Sequence, residues 1–181
     1  PMARLSGTLP ALNGSALTAL NATQLTSGTI PAARLGSKKI LQAVAGSSGS
    51  QATLSSSTSW ADTGHAASIT PSATSSTIWV MVTTGGIYQA TANQGFSYYT
   101  TLYRNGSNIG HSSSGLTATY CFGMPNYTNI FTRAMSMSKI DSPSSTSAVE
   151  YKIYHRTAQS GCTFYFNDSG TTTITLFEIG A

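Results

Sequence analysis

Charge is what this chain has least of. Nine Lys and Arg and five Asp and Glu in 181 residues make 8% of it charged, against about a quarter in ordinary globular domains. The five acids, Asp62, Asp141, Glu150, Asp168 and Glu178, leave little material for acid–base catalysis. A glycosidase would need two of them about 5 to 10 Å apart in a cleft. Asp62, Asp141 and Asp168 stand in turn contexts, where Asp caps its own backbone. Glu150 and Glu178 fall in strand patterns, where a half-exposed edge or a contact between subunits is the preferred reading. No G-x-S-x-G elbow surrounds any serine, and His65, His111 and His155 lack metal-ligand spacing. No catalytic residue, metal or cofactor is therefore expected.

Cysteine is also scarce. Cys121 and Cys162 cannot build a disulfide framework or a zinc site unaided. Buried free thiols are the preferred reading, with a single disulfide left open. No stretch approaches the roughly 18 apolar residues of a membrane span, and no signal peptide is visible, so a product made in the cytoplasm without membrane insertion is expected. The opening Pro1-Met2 suggests a segment of a longer chain. The net charge of +4 reflects scarce acids more than abundant bases, and only Lys38-Lys39 are adjacent. Phosphate tracking needs clustered bases, so nucleic acid is not an expected partner.

What the chain has instead is hydroxyls: Ser and Thr make up 55 residues. A disordered chain would pair high net charge with few β-branched residues, and neither holds. Residues 1–37 contain no aromatic residue and no acid, and only Arg4 and Arg34 are charged. Such a segment cannot build its own core, yet its apolar residues are ordered. Leu20, Leu25, Ile30 and Leu35 recur every five residues, and Leu5-Ser6-Gly7-Thr8-Leu9-Pro10 is echoed by Thr26-Ser27-Gly28-Thr29-Ile30-Pro31. A period of five fits neither helix nor flat strand. Three chains wound on a threefold axis could bury the Leu and Ile column and satisfy one another's backbone. The competing reading is a Ser/Thr/Gly linker. Either way the segment acts as a spacer.

From Lys38 the grammar changes. Every aromatic residue lies at Trp60 or beyond, and short β-rich runs predict strands at about 38–45, 52–59, 66–70, 77–84, 86–91, 97–104, 117–122, 130–139, 149–157, 162–167 and 172–179. Turn signals separate them: Ala45 to Gly49, Thr70-Pro71-Ser72, Gly85-Gly86, Asn105-Gly106, Asp141-Ser142-Pro143 and Asp168-Ser169-Gly170. Many short strands without a helical period predict an all-β sandwich or jelly roll over 38–181.

Particular words in this region are similar to phage proteins. Thr58-Ser59-Trp60-Ala61-Asp62-Thr63-Gly64, Ala67-Ser68-Ile69-Thr70-Pro71 and Ser76-Thr77-Ile78-Trp79-Val80-Met81-Val82 resemble the opening strands of jelly-roll heads in phage fibre and appendage proteins. Leu102-Tyr103-Arg104-Asn105-Gly106-Ser107, Ala148-Val149-Glu150-Tyr151-Lys152 and Thr173-Ile174-Thr175-Leu176-Phe177-Glu178-Ile179-Gly180 continue the likeness. Leu25 to Leu35 is similar to the short repeats preceding heads in phage tail fibres. The resemblance implies a trimeric β-sandwich head, a jelly roll like that of the tumour-necrosis-factor superfamily, behind an extended, intertwined, fibre-like N-terminal segment. It implies a homotrimer in the virion, with the N-terminal segment meeting other virion proteins.

The expected function is a bacteriophage structural protein whose head recognises a bacterial surface glycan or protein. The alternative is a purely structural capsid fibre, decoration or tail connector, and a polysaccharide-degrading enzyme ranks third. For binding, Tyr120, Asn126 and Tyr127 flank an aromatic-rich break at Cys121 to Pro125, where flat apolar area meets hydrogen-bonding groups. Packing at a subunit interface competes with that reading. Phe96, Tyr98, Tyr99 and Phe164 to Phe166 read as core or threefold-interface aromatics.

Overall fold

The computed structural model describes residues 38–90, 95–121 and 130–181, and the regular structure among them is entirely β. The axial column Leu20, Leu25, Ile30 and Leu35, with the rest of 1–37, lies outside the described residues, as do Asn126 and Tyr127.

Thirteen strands follow one another among the described residues: β1 (Ile40–Ser48), β2 (Ala52–Ser55), β3 (Ala61–Ile69), β4 (Thr77–Thr83), β5 (Ile87–Gln89), β6 (Phe96–Arg104), β7 (Ser107–Asn108), β8 (Thr117–Cys121), β9 (Ile130–Arg133), β10 (Ser136–Asp141), β11 (Val149–Thr157), β12 (Thr163–Phe166) and β13 (Thr172–Ile179). All pairings are antiparallel. One sheet runs β1-β13-β4-β10, another runs β2-β12-β5-β9, and a third runs β3-β11-β6-β7 with β8 also on β6.

The first two sheets continue each other. Ser48 pairs with Thr172, and after the break Ala52 pairs with Phe166, so the register runs on without reversal. Each strand of the second sheet is the chain extension of the strand in the same position of the first. The turn signals at Gly49, Gly85-Gly86 and Asp168-Ser169-Gly170 therefore mark a crease across long strands, where the sequence suggested chain reversals. Asn167 stitches that crease. It takes a positive φ of 58°, and its Nδ2 donates to the Ser48 and Ser50 carbonyls at 3.1 and 3.0 Å. Thr172 Oγ1 donates back to Asn167 Oδ1 at 3.1 Å. By contrast, Asn105-Gly106, with φ of 46° and 82°, is a true tight hairpin joining β6 to β7.

The creased layer and the β3-β11-β6 layer pack face to face as in a β-sandwich. Alternation decides the contents: along β11, Val149, Tyr151, Ile153, His155 and Thr157 are buried, while Glu150, Lys152, Tyr154 and Arg156 are half-buried on the other face. Phe164, Phe166, Val80, Leu176, Tyr98 and Leu102 are fully enclosed between the layers, each worth about 1.5–3 kcal/mol of burial. Phe96 joins them, whereas Tyr99 and Tyr165 point outward, half-buried. Cys162 is a buried free thiol.

Several strand boundaries differ from those predicted: β1 runs from Ile40 to Ser48 where 38–45 was expected, and β7 is an unpredicted short strand after the Asn105-Gly106 turn. β2 ends at Ser55 because Ser56 turns the chain at φ 51°. β3 starts at Ala61, earlier than expected, and absorbs Gly64 as a bulge at φ 76° opposite Ile153. The Asp62 carboxylate accepts the Gly64 amide at 2.8 Å and holds that bulge. The run 130–139 divides into β9 and β10.

Two acids lie elsewhere than the sequence suggested. Glu178 sits on central strand β13 with no exposed surface, so it is neither a half-exposed edge nor available to another subunit. Its carboxylate accepts from Gln42 Nε2 at 2.6 Å, the Ser72 amide at 2.7 Å, and the Ser72 and Ser76 hydroxyls at 2.6 Å each. Asp141 spans the layers at the end of β10: Arg104 Nη1 donates to both its oxygens at 3.0 Å, and the Tyr151 hydroxyl donates at 2.7 Å. Burial first, then that hydrogen bond and the charge of Asp141, raise the Tyr151 hydroxyl far above the ordinary tyrosine range.

Candidate functional site: two unlike outer faces

Each layer has one face turned away from the core, and the two are chemically opposite. On the β1-β13-β4-β10 sheet the register aligns Ala43, Phe177, Trp79 and Ile140 in one row. The next row is Ala45, Thr175, Met81 and Ser138, then Ser47, Thr173, Thr83 and Ser136. No charged side chain stands in these rows. Trp79 and Phe177 pack at 5.7 Å between ring centroids. Ile140 is 62% exposed and Ile40 59%, a large apolar display for a protein surface. A hollow of about 430 Å³ at the end of this face is lined by Thr77, Ile140, Ile179 and Ala181, with Lys38 also in its wall.

The outer face of the β3-β11-β6-β8 layer carries Trp60, Tyr99, Tyr103, Tyr154, Arg156, Lys152 and Asp62. Period-two alternation on β6 and β11 puts the three tyrosines, Lys152 and Arg156 there, and the entry into β3 adds Trp60 and Asp62. Tyr103 and Tyr154 stack at 3.8 Å and 19°, a diagonal pair across neighbouring strands. Arg156 lies between two rings, its guanidinium carbon 5.5 Å from the Trp60 centroid and 5.4 Å from that of Tyr99. The indole is fixed in turn, since Trp60 Nε1 donates to the Ser112 carbonyl at 2.8 Å. Lys152 is ion-paired to Asp62 at 3.3 Å and Glu150 at 3.6 Å. Asp62 first, then Glu150, hold its ammonium above the usual lysine range.

Gly115 makes the seat for Trp60. Its φ is +69°, and a Cβ there would stand 2.8 Å from Trp60 Cη2 and in collision with the Thr100 carbonyl. A Gly115→Ala variant should lose about 1–2 kcal/mol of stability and shift the Trp60 indole signal. Unchanged urea unfolding and an unmoved indole resonance would count against this seating.

Of the binding residues expected from sequence, Tyr120 belongs to this face. It pairs with Ser97 at the end of β8 and is 46% exposed, two register steps from Tyr99. Trp60, Tyr103, Tyr154 and Arg156 were not singled out from the sequence, and Tyr99, read there as a core or threefold-interface aromatic, stands half-buried on this outer face. The alternation Glu150, Lys152, Tyr154, Arg156 was the available signal, because it puts four polar or amphipathic side chains on one face.

The histidines take structural positions. His111 caps a turn, its Nδ1 facing the Ser113 and Ser114 amides at 3.3 and 3.2 Å. His65 and His155 are 3% and 1% exposed between the layers, both edge-on to Phe166 at 5.1 and 6.0 Å. Tyr98 Oη lies 2.7 Å from His155 Nδ1. Burial pushes His155 down to about 4, His65 adds to that, and Asp62 opposes it. His155 is therefore a neutral core member, and His65 is buried beside it. Comparison of the chain with protein-family models and with curated proteins finds no match.

Proposed function

We propose that this chain is a phage virion fibre protein, assembled as a homotrimer, whose head meets its own copies through the uncharged face and a host-surface glycan or protein through the aromatic one. The contrast between the two outer faces carries this reading. An apolar, charge-free face with Trp79, Phe177 and Ile140 in line is what association between copies buries. The opposite face, rich in Tyr and Trp with fixed polar groups, is what recognition of sugars or proteins uses. Its role is structural and binding, not catalytic.

The strand order supports the finer fold reading. Taking each creased strand as one, the chain alternates between layers, and in each layer its last or next-to-last strand lies between earlier ones. Two interlocked Greek keys in a jelly roll have this order. The trimer, the virion setting and contacts of residues 1–37 with other virion proteins rest on the period-five column and on the resemblance to phage fibre heads. Three copies on one stalk would multiply a weak surface contact. A purely structural fibre shares the uncharged face but has no use for the aromatic one.

Sedimentation equilibrium should give three times the chain mass of 18.8 kDa. Ile140→Glu, at a position 62% exposed, should leave the fold within about 0.5 kcal/mol yet shift the mass toward one chain. A monomeric parent, or an Ile140→Glu protein that stays trimeric, would refute assembly through this face.

A further inference from the structure

We infer that the aromatic face binds an acidic glycan, with the carboxylate or phosphate of the sugar received by Arg156 and a sugar ring laid against Trp60 and Tyr99. This deepens the receptor-binding reading above and rests on it. The argument starts from charge compensation. Lys152 is held by Asp62 and Glu150, and Arg104 by Asp141. Arg156 has no carboxylate partner among the described residues. Its one hydrogen bond runs from Nη1 to the Thr58 carbonyl at 3.0 Å.

The guanidinium is also held in place. Trp60 and Tyr99 hold it at 5.5 and 5.4 Å, and its Nε is enclosed without a partner. Its Nη2, neither hydrogen-bonded nor buried, is the edge left for a ligand. A cation fixed in this way has already lost its rotamer entropy, so little ordering cost opposes an incoming anion. Planar guanidinium forks suit carboxylate and phosphate oxygens, which accept two parallel hydrogen bonds.

Aromatic side chains beside the cation select the rest of the ligand. A pyranose presents one flat apolar side and a rim of hydroxyls, and Tyr103, Tyr154 and Tyr120 extend the same surface with hydrogen-bonding hydroxyls. Free phosphate lacks such a ring and would use only the Arg156 end. The chain's positive balance, nine bases to five acids, favours approach of a polyanion.

The two tryptophans allow a direct test, because Trp60 stands on the aromatic face and Trp79 on the uncharged one. The full chain is titrated with oligogalacturonate, a phosphorylated oligomannoside, neutral dextran oligomers and inorganic phosphate while both indole N–H resonances are followed. One or both acidic oligomers should move Trp60 and leave Trp79 in place. Arg156→Gln should weaken that affinity about tenfold or more, and Arg156→Lys should restore part of it.

The galacturonate and phosphomannoside arms separate carboxylate from phosphate as the anion. Equal binding of dextran, binding of inorganic phosphate as tight as that of the oligomers, movement of Trp79 instead of Trp60, or an acidic-oligomer affinity unchanged in both Arg156 variants would each overturn the inference. So would the absence of binding to either acidic oligomer. Adsorption of the full chain to bacterial cells, run alongside, distinguishes the two levels. Adsorption that persists in Arg156→Gln overturns the anion assignment alone, whereas a parent chain that adsorbs to no cell overturns the receptor reading and this inference with it.

Discussion

Glu178→Ala is expected to destabilise the head by about 3–5 kcal/mol, more than any other single change outside the apolar core. The side chain is fully enclosed, and it is the acceptor for four donors from three residues. Truncation leaves those donors facing a void. The serine hydroxyls can turn to other acceptors, so the cost falls short of the sum, but the Ser72 amide cannot. Gln42 Nε2 also donates to the Thr70 carbonyl at 2.7 Å. The cluster thus pins the whole connection between β3 and β4 onto β1 and β13. Glu178→Gln keeps the shape and one acceptor oxygen, yet sets an amide nitrogen against that of Gln42, so an intermediate loss of about 1–2 kcal/mol is expected. Urea unfolding of the three proteins ranks them, and a Glu178→Ala protein within about 1 kcal/mol of the parent would show that the network is not what holds this connection.

Acid should unfold the head in two stages. Burial holds His155 at about 4 against an ordinary 6.5. Its folded form therefore binds the proton less readily than the unfolded chain. The stability this represents is complete above about pH 6.5 and is lost as pH falls toward 4. The loss is about 3 kcal/mol, from roughly 1.4 kcal/mol per unit. Glu178 follows. Burial would raise its carboxyl, but the hydrogen bonds from Ser72, Ser76 and Gln42 outweigh burial and hold it below its ordinary 4.5. Its contribution is present above that value and is lost as pH falls through the lowered one, after the histidine stage. His155→Gln stays neutral and can still meet the Tyr98 hydroxyl, so it should flatten the first stage and spare the second. Equal stability of the parent at pH 7 and pH 5 would contradict a buried neutral His155.

Much of the β pattern was legible residue by residue. β4, β6, β11 and β13 fall within a residue or so of their expected limits because alternation and β-branched side chains act locally. The Asn105-Gly106 hairpin was legible for the same reason, since only certain residues tolerate two successive positive φ angles. Gly85-Gly86 and Asp168-Ser169-Gly170 carry equally strong turn chemistry, yet they bend long strands without reversing them. Which outcome occurs depends on partners more than 80 residues away: Asn167 bonding the Ser48 and Ser50 carbonyls, and the Gly86 amide donating to the Ser169 carbonyl at 2.6 Å. No local window contains that information.

The candidate site divides the same way. Tyr120 was singled out from its own aromatic neighbourhood, and the structure places it exposed on the aromatic face. Trp60, Tyr99 and Arg156 are far apart in the chain, and nothing in any one stretch brings a lone arginine between two rings. Glu178 was misjudged because a carboxylate in a strand is exposed unless donors meet it inside, and Ser72 and Ser76 come from a different loop.

The sequence alone determined that the described part of residues 38–181 is β, that residues 1–37 follow a different five-residue grammar, and that polarity rests on hydroxyls, because composition and period are properties of neighbours along the chain. Only the tertiary structure decided that the Trp79, Phe177 and Ile140 rows of one outer face carry no charge, that the other face holds Arg156 between Trp60 and Tyr99 with no carboxylate partner among the described residues, and that Glu178 is a buried acceptor. Those facts follow from register between distant strands, where a shift of one residue would exchange the two faces of every strand it touched.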